Sequence, residues 1–171
     1  MSPEEIMKQR QSIVKEALSW QGTPFHHAAC VKGGGVDCAH LLKAIYKTCI
    51  GIPADFPEFP GFSRGQYPPQ WHLHDLNNID KADFYLHGFA RSEEGFFEVN
   101  QNQIAPGDAV LAVIGRTFCH AGIIVNWPKV IQAESAPLGS GKVVLANATA
   151  NWFLSRRELK FFSRKDWHEH N

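Results

Sequence analysis

The chain has 171 residues, 44% of them hydrophobic, which suits one globular domain and argues against wholesale disorder. Basic and acidic residues number 17 each, so the formal net charge is zero and gives no electrostatic reason to expect a nucleic acid or an anionic membrane as a partner. No apolar run could span a bilayer and MSPEEIMKQRQ lacks the features of a signal peptide, so we expect a protein that stays in the cytoplasm after synthesis or leaves without a cleaved signal.

The first predicted helix begins at the N-terminus. Ser2 is suited to cap it, Pro3 fits the first helical position, and Glu5 completes a capping box. Apolar residues at near-helical spacing follow. Gly22-Thr23-Pro24 is predicted to end this helix.

A glycine-rich loop is predicted to lead into a second helix. Residues 21–37 form the loop, and the helix is expected to run from Cys38 to about Cys49, with Asp37 as its N-cap. Gly51 and Pro53 follow and should stop it.

The middle of the chain is a long connection and the C-terminal part is rich in strands. We predict an insertion rich in proline and aromatic residues at about 52–105, with a short helix over 80–91. After Pro106-Gly107-Asp108 the sequence predicts the strands DAVLAVI, HAGIIVN, VIQAE, KVVLAN and ELKFFS. Helices first and strands second indicate a single α+β domain over 1–171, with helices packed on an antiparallel sheet of five to six strands.

Cys38 is the first candidate for chemistry. The free N–H groups and the dipole of a helix N-terminus favour a thiolate, which is the reactive form of cysteine. The alternative is that Cys38 is a small buried residue of an amphipathic helix. The other cysteines, Cys30, Cys49 and Cys119, are predicted to be reduced packing residues, since a chain of this size does not need disulfides. The sequence has no CxxC pair, which argues against a zinc ribbon or a thioredoxin-like motif.

A nucleophilic cysteine needs a base within hydrogen-bond reach, and His120 is the candidate. His120 opens the apolar run HAGIIV, where an unpaired imidazole would be costly to bury; a solvated strand end is the alternative. Gln132 interrupts VIQAE and has a side-chain carbonyl that could orient the imidazole. Cys38, His120 and Gln132 therefore form a predicted catalytic triad.

The register of the predicted hairpin decides whether this triad can form. If Val125 pairs with Val130, Gln132 faces away from His120. If Ile124 pairs with Val130, Gln132 lies opposite Gly122 and becomes a diagonal neighbour of His120 on the same face. The triad therefore requires a five-residue connection or a bulge between the two strands.

Several segments together resemble the NlpC-type cell-wall cysteine peptidases, compact relatives of the papain fold, and are most similar to their bacteriophage-associated branch. The matching segments are GTPFHH at 22–27, GGGVDCAHLLKAIYK at 33–47, PGDAVLAV at 106–113, HAGIIV at 120–125 and VIQAESA at 130–136.

The resemblance implies a papain-like fold with Cys38 as nucleophile, His120 as base and Gln132 as the third residue. It implies cleavage of amide bonds in peptidoglycan stem peptides, next to D-glutamate and a diamino acid, without a cofactor. Delivery to the cell wall by phage tail or secretion-apparatus proteins would fit the missing signal peptide.

The residues predicted to bind substrate flank the nucleophile: Phe25, His26, His27, Gly35 and Asp37. For the two histidines a solvated loop is the alternative. His72 and His74 are spaced as metal ligands on a strand, but no further ligand stands at a recognisable spacing, so we predict no metal site.

Two other functions remain open on the sequence. One is an acyltransferase or amidase that uses the same triad on another amide or thioester. The other is a non-catalytic phage tail assembly module, an alternative prompted by Phe25, which stands where the resembled family usually has tyrosine.

Overall fold

A computed structural model describes residues 1–51, 95–115, 117–137, 139–151 and 154–168. The helix predicted over 80–91, the pair His72 and His74, and most of the predicted insertion lie outside the described residues.

Helix α1 spans Pro3–Ser19 and begins with the predicted capping box. The Ser2 hydroxyl accepts a hydrogen bond from the Glu5 amide at 3.2 Å, and the Ser2 amide donates to the Glu5 carboxylate at 2.7 Å. The helix ends before the predicted glycine, with Trp20 as its C-cap. Its buried face carries Ile13 and Ala17.

Helix α2 spans Cys38–Ile50, so the prediction of its start is confirmed. Asp37 is the N-cap, and Gly51 closes the C-terminus in the left-handed conformation with φ 71°, which a glycine adopts at no steric cost. Before this helix, where the sequence predicted only a loop, a short antiparallel hairpin joins β1 (Cys30–Val31) to β2 (Gly35–Val36).

The described residues contain one larger sheet of six antiparallel strands, which confirms the predicted α+β architecture. The strands are β3 (Phe96–Val99), β4 (Ala109–Ile114), β5 (Thr117–Asn126), β6 (Lys129–Ala133), β7 (Val143–Asn147) and β8 (Leu159–Arg164), in the spatial order β3-β8-β4-β5-β6-β7. The edge strand β3 was not predicted, because it lies within the segment assigned to the insertion. Short 3-10 turns occupy Gln101–Gln103 and Lys165–Trp167.

Both helices pack against the sheet over a shared apolar core. Helix α2 contacts β5 and β6, and α1 contacts α2 and β5. Burial of the α2 face, with Leu41, Leu42 and Ile45 in the core, fixes how the start of α2 meets the middle of the sheet. In the described part of the chain, neither helix has the length and apolar character needed to cross a bilayer.

Candidate active site

The loop before α2 is fastened to the helix by the Asp37 carboxylate. One oxygen accepts from the His40 amide at 2.9 Å and lies 3.0 Å from His40 Nδ1, and the other accepts from the Ala28 amide at 2.7 Å. Ala28 has φ 56°, an unfavourable conformation for a residue with a side chain, and its hydrogen bond to Asp37 helps to hold it there. The carboxylate, 2% exposed, thus serves as the N-cap and fixes the loop beside Cys38.

Cys38 is the first residue of α2 and is half-buried. Its sulfur lies 3.9 Å from the carbonyl oxygen of Cys119 in β5. Since Cys119 immediately precedes His120, this contact brings the thiol at the helix N-terminus to the part of the sheet that carries the imidazole.

Strands β5 and β6 pair in the register that the triad requires. Gly122 lies opposite Gln132 and Ile124 opposite Val130, and the register shifts by one residue at Val125. This irregularity is a bulge of the kind that the triad requires, and of the two registers left open by the sequence it is the second that is observed. As a result, His120 Nε2 lies 2.8 Å from Gln132 Oε1.

His120 is 4% exposed, and this burial lowers its pKa to about 4. The hydrogen bond to Gln132 and the charge of Glu134 oppose the shift, whereas the charge of Arg157 adds to it. The imidazole is therefore neutral at neutral pH, which is the state that can accept a proton from a thiol.

Glu134 is a member of this cluster that the sequence reasoning missed. Gln132 Nε2 donates to Glu134 Oε1 at 2.8 Å, and Glu134 is 4% exposed. The signal was available in the sequence, because residues two apart on a strand point to the same face, as Gln132 and Glu134 do in VIQAE.

Known proteins resemble this chain in structure, whereas comparison of sequences assigns it to no family. No protein-family model matches the sequence, and no curated protein does. The NlpC/p60 domain of the peptidoglycan hydrolase SagA superposes with a TM-score of 0.54 at 16% identity, over 88% of this chain and 96% of that one. The chain has the NlpC/p60 fold.

Two NlpC/p60 proteins of Mycobacterium tuberculosis show that this fold alone does not decide activity. The peptidoglycan hydrolase RipB matches with a TM-score of 0.55 at 13% identity, over 96% of this chain and 68% of its own. RipD, a non-catalytic NlpC/p60 domain protein with a peptidoglycan-binding function, matches with a TM-score of 0.50 at 11% identity, over 91% of this chain and 96% of its own. The activity of this chain must be argued from its own side chains.

The residues predicted to bind substrate lie around the loop before α2. Phe25 is partly buried against the core, while His26 and His27 are exposed. Gly35 packs against His26, since a Cβ on Gly35 would clash with the His26 ring. For these residues and Asp37, contact with a substrate stays a prediction.

The remaining cysteines divide into two environments. Cys119 is buried and Cys49 is half-buried against the core, which agrees with the packing roles predicted for them. The prediction that Cys30 is a packing residue is wrong, because Cys30 lies in the short hairpin and is exposed. Within the described ranges, no group of three histidine, cysteine or acidic side chains is arranged to hold a metal ion.

Proposed function

We propose that this protein is a cysteine hydrolase that cleaves amide bonds in peptidoglycan stem peptides, with the bond between D-glutamate and a diamino acid as its target. The observation that carries the proposal is the thiol of Cys38 at a helix N-terminus, in contact with the strand where His120 is hydrogen-bonded to Gln132. The NlpC/p60 fold, shared with the peptidoglycan hydrolases SagA and RipB, supports the choice of substrate.

In this mechanism the neutral imidazole of His120 accepts the proton of the Cys38 thiol. As this proton is transferred, the Cys38 sulfur attacks the scissile carbonyl carbon, and the resulting oxyanion is stabilised by the Cys38 amide at the helix N-terminus. The C–N bond then breaks, the proton passes from His120 to the leaving amine, and a thioester remains on Cys38. Water, deprotonated by His120, releases the acid product and restores the thiol.

Burial explains why a neutral starting pair suits this site. The lowered pKa of His120 disfavours a resting ion pair with a thiolate, so proton transfer accompanies attack on the substrate. Gln132 is a neutral acceptor for His120 Nε2, as the asparagine of papain-like enzymes is, and it orients the ring without adding a full charge.

Digestion of purified peptidoglycan, followed by mass spectrometry of the released fragments, tests the proposal. The wild type is expected to release fragments that end in D-glutamate, with the new amine on the diamino acid, and Cys38→Ala to release none. Cys49→Ala is the matched control, since Cys49 is a half-buried cysteine at the other end of α2. Identical fragment profiles for the wild type and Cys38→Ala would contradict the hydrolase.

The same assay distinguishes hydrolysis from acyl transfer. Added amine nucleophiles are expected to leave the wild-type products unchanged if water is the physiological acceptor. Amide adducts formed in preference to the free acid would assign the site to an acyltransferase.

A non-catalytic role in binding peptidoglycan is the second candidate, because RipD has the same fold and is non-catalytic. Alkylation by iodoacetamide at neutral pH separates the two. Burial raises the pKa of the Cys49 thiol, which makes it a slow internal reference. The hydrolase requires Cys38 to react faster than Cys49, whereas equal rates would favour the binding role. Association with a phage tail is compatible with either role, and co-purification with tail proteins would test it.

A further inference from the structure

The orientation of the Gln132 amide is fixed by Glu134. An amide can be turned to exchange its oxygen and nitrogen at almost no steric cost, so hydrogen-bond partners must decide between the two orientations. Here Gln132 Nε2 donates to Glu134 Oε1 at 2.8 Å and Gln132 Oε1 faces His120 Nε2 at 2.8 Å. The reverse orientation would place the amide oxygen against a carboxylate oxygen, and both are acceptors.

This orientation in turn selects the tautomer of His120. Because Gln132 presents an oxygen, His120 Nε2 must carry the proton and donate it. In a neutral imidazole the other nitrogen, Nδ1, is then the acceptor. Nδ1 is the ring nitrogen nearer the main chain of β5, where the Cys38 sulfur contacts the Cys119 carbonyl. The reversed amide would leave the proton on Nδ1, which could not then receive the proton of the thiol.

We propose that Glu134 is a positioning residue of the active site, which turns the Gln132 amide so that His120 holds its proton on Nε2 and accepts the thiol proton at Nδ1. The proposal rests on the cysteine hydrolase function put forward above. Glu134 acts through Gln132 and does not touch the reacting atoms.

The surroundings of Glu134 are built to hold its carboxylate in place. Oε1 also accepts from Asn151 Nδ2 at 3.0 Å, and Oε2 accepts from the Ser140 amide at 3.0 Å. The turn that supplies this amide packs closely, since a Cβ on Gly139 would lie 2.6 Å from the Glu134 Cβ. A carboxylate that accepts three N–H bonds and is closely packed cannot readily leave Gln132.

Charge and orientation can be separated by comparing two substitutions. Glu134→Gln retains an oxygen that can accept from Gln132 Nε2 and Asn151, although its amide must then oppose the Ser140 N–H. Glu134→Ala removes the acceptor and frees the Gln132 amide to turn. Among the described residues, the charges of Glu134 and Arg157 act on His120, so the neutral Glu134→Gln variant also shows how much the Glu134 charge affects the pH profile.

The direct test is ¹⁵N NMR of histidine-labelled protein, which reports the tautomer of His120 without requiring activity. The wild type is expected to show the proton on Nε2; a proton on Nδ1 would overturn the proposal without any variant having to fold. Glu134→Ala is expected to give a mixture of tautomers and to lower kcat by about 10- to 100-fold with little change in KM. This is the loss typical of replacing a residue that orients a metal-binding histidine or carboxylate in a metalloenzyme. Glu134→Gln is expected to retain the wild-type tautomer and to restore most of kcat.

The readouts separate this role from a structural one and from failure of the proposed function. A folded Glu134→Ala variant with the wild-type tautomer and kcat would overturn the role of Glu134. If the wild type does not cleave peptidoglycan, the hydrolase proposal fails, while the tautomer measurement still decides whether Glu134 orients the Gln132–His120 pair.

Discussion

Two buried carboxylates, Asp108 and Glu134, are held in different ways. Asp108 immediately precedes β4 and is 0% exposed. It is 2.8 Å from the guanidinium of Arg10 and accepts from the Ser163 hydroxyl at 2.7 Å and from the Ala105 amide at 2.8 Å. The described donors to Glu134 are by contrast all neutral: two side-chain amides and one backbone N–H.

The difference indicates what each carboxylate does. Arg10 belongs to α1 and Ser163 to β8, so Asp108 links helix α1 to strand β8 and is paired with a cation. The partners of Glu134 within the described part of the chain include no cation, and one of them is the amide that contacts His120. We expect Asp108 to matter for folding stability and Glu134 to matter for the activity of the site.

The largest effect on stability is expected for Asp108→Ala. It leaves the Arg10 guanidinium, which is largely buried, without its carboxylate, and should lower the free energy of unfolding by about 3–5 kcal/mol. Urea denaturation measures the loss. Glu98→Ala, which breaks the more exposed pair with Lys160, is the control and should cost about 1 kcal/mol or less. Equal losses for the two variants would contradict the role given to Asp108.

A somewhat smaller effect on the free energy of unfolding is expected from acidification, through protonation of His120. Its pKa of about 4 in the folded protein is below the ordinary value of 6.5, so between these values the unfolded chain binds a proton that the folded chain does not. Stability contributed by the neutral ring is therefore complete above pH 6.5 and falls as the pH drops toward 4, by about 3 kcal/mol in all.

The contribution of His120 is isolated by comparing the wild type with His120→Asn, which cannot titrate. Urea denaturation at pH 4.5 and pH 7 should show a smaller loss of stability on acidification for the variant, because the other histidines are common to both proteins. The same loss in both proteins would mean that the ring does not titrate as its burial requires.

The smallest effect is expected for Ser163→Ala. It removes a buried hydroxyl that donates to Asp108, accepts from Arg10 Nη2 at 3.3 Å and lies 2.9 Å from His168 Nε2. The ion pair between Arg10 and Asp108 remains, so the free energy of unfolding should fall by about 1–2 kcal/mol. Peptidoglycan cleavage should be unchanged, in contrast to Glu134→Ala. Ser155→Ala, at an exposed turn, serves as the control for serine truncation. A large loss of activity in Ser163→Ala would remove the distinction between the two carboxylates.

Local chemistry made much of this fold predictable. The capping box at Ser2, the N-cap at Asp37 and the glycine after α2 follow from hydrogen-bonding groups and backbone preferences within a few residues, and each is observed. Short β-type runs separated by turn residues likewise predicted β4 to β8. Strand β3 was missed because its partner β8 lies more than 60 residues further along the chain, and only that pairing makes the segment a strand.

The candidate site was predictable in its residue types but not in its assembly. The sequence by itself determined that a cysteine begins a helix and that a histidine and a glutamine lie on strands, because caps and short strand-forming runs are local. Only the tertiary structure decided that β5 bulges at Val125, that Gln132 therefore meets His120, and that Cys38 contacts the same strand. The tertiary structure also placed Glu134 next to Gln132, where its carboxylate accepts hydrogen bonds from the Gln132 side chain and from the Ser140 amide. These contacts depend on strand register and on the packing of a helix against a sheet, which are set by the burial of the whole core.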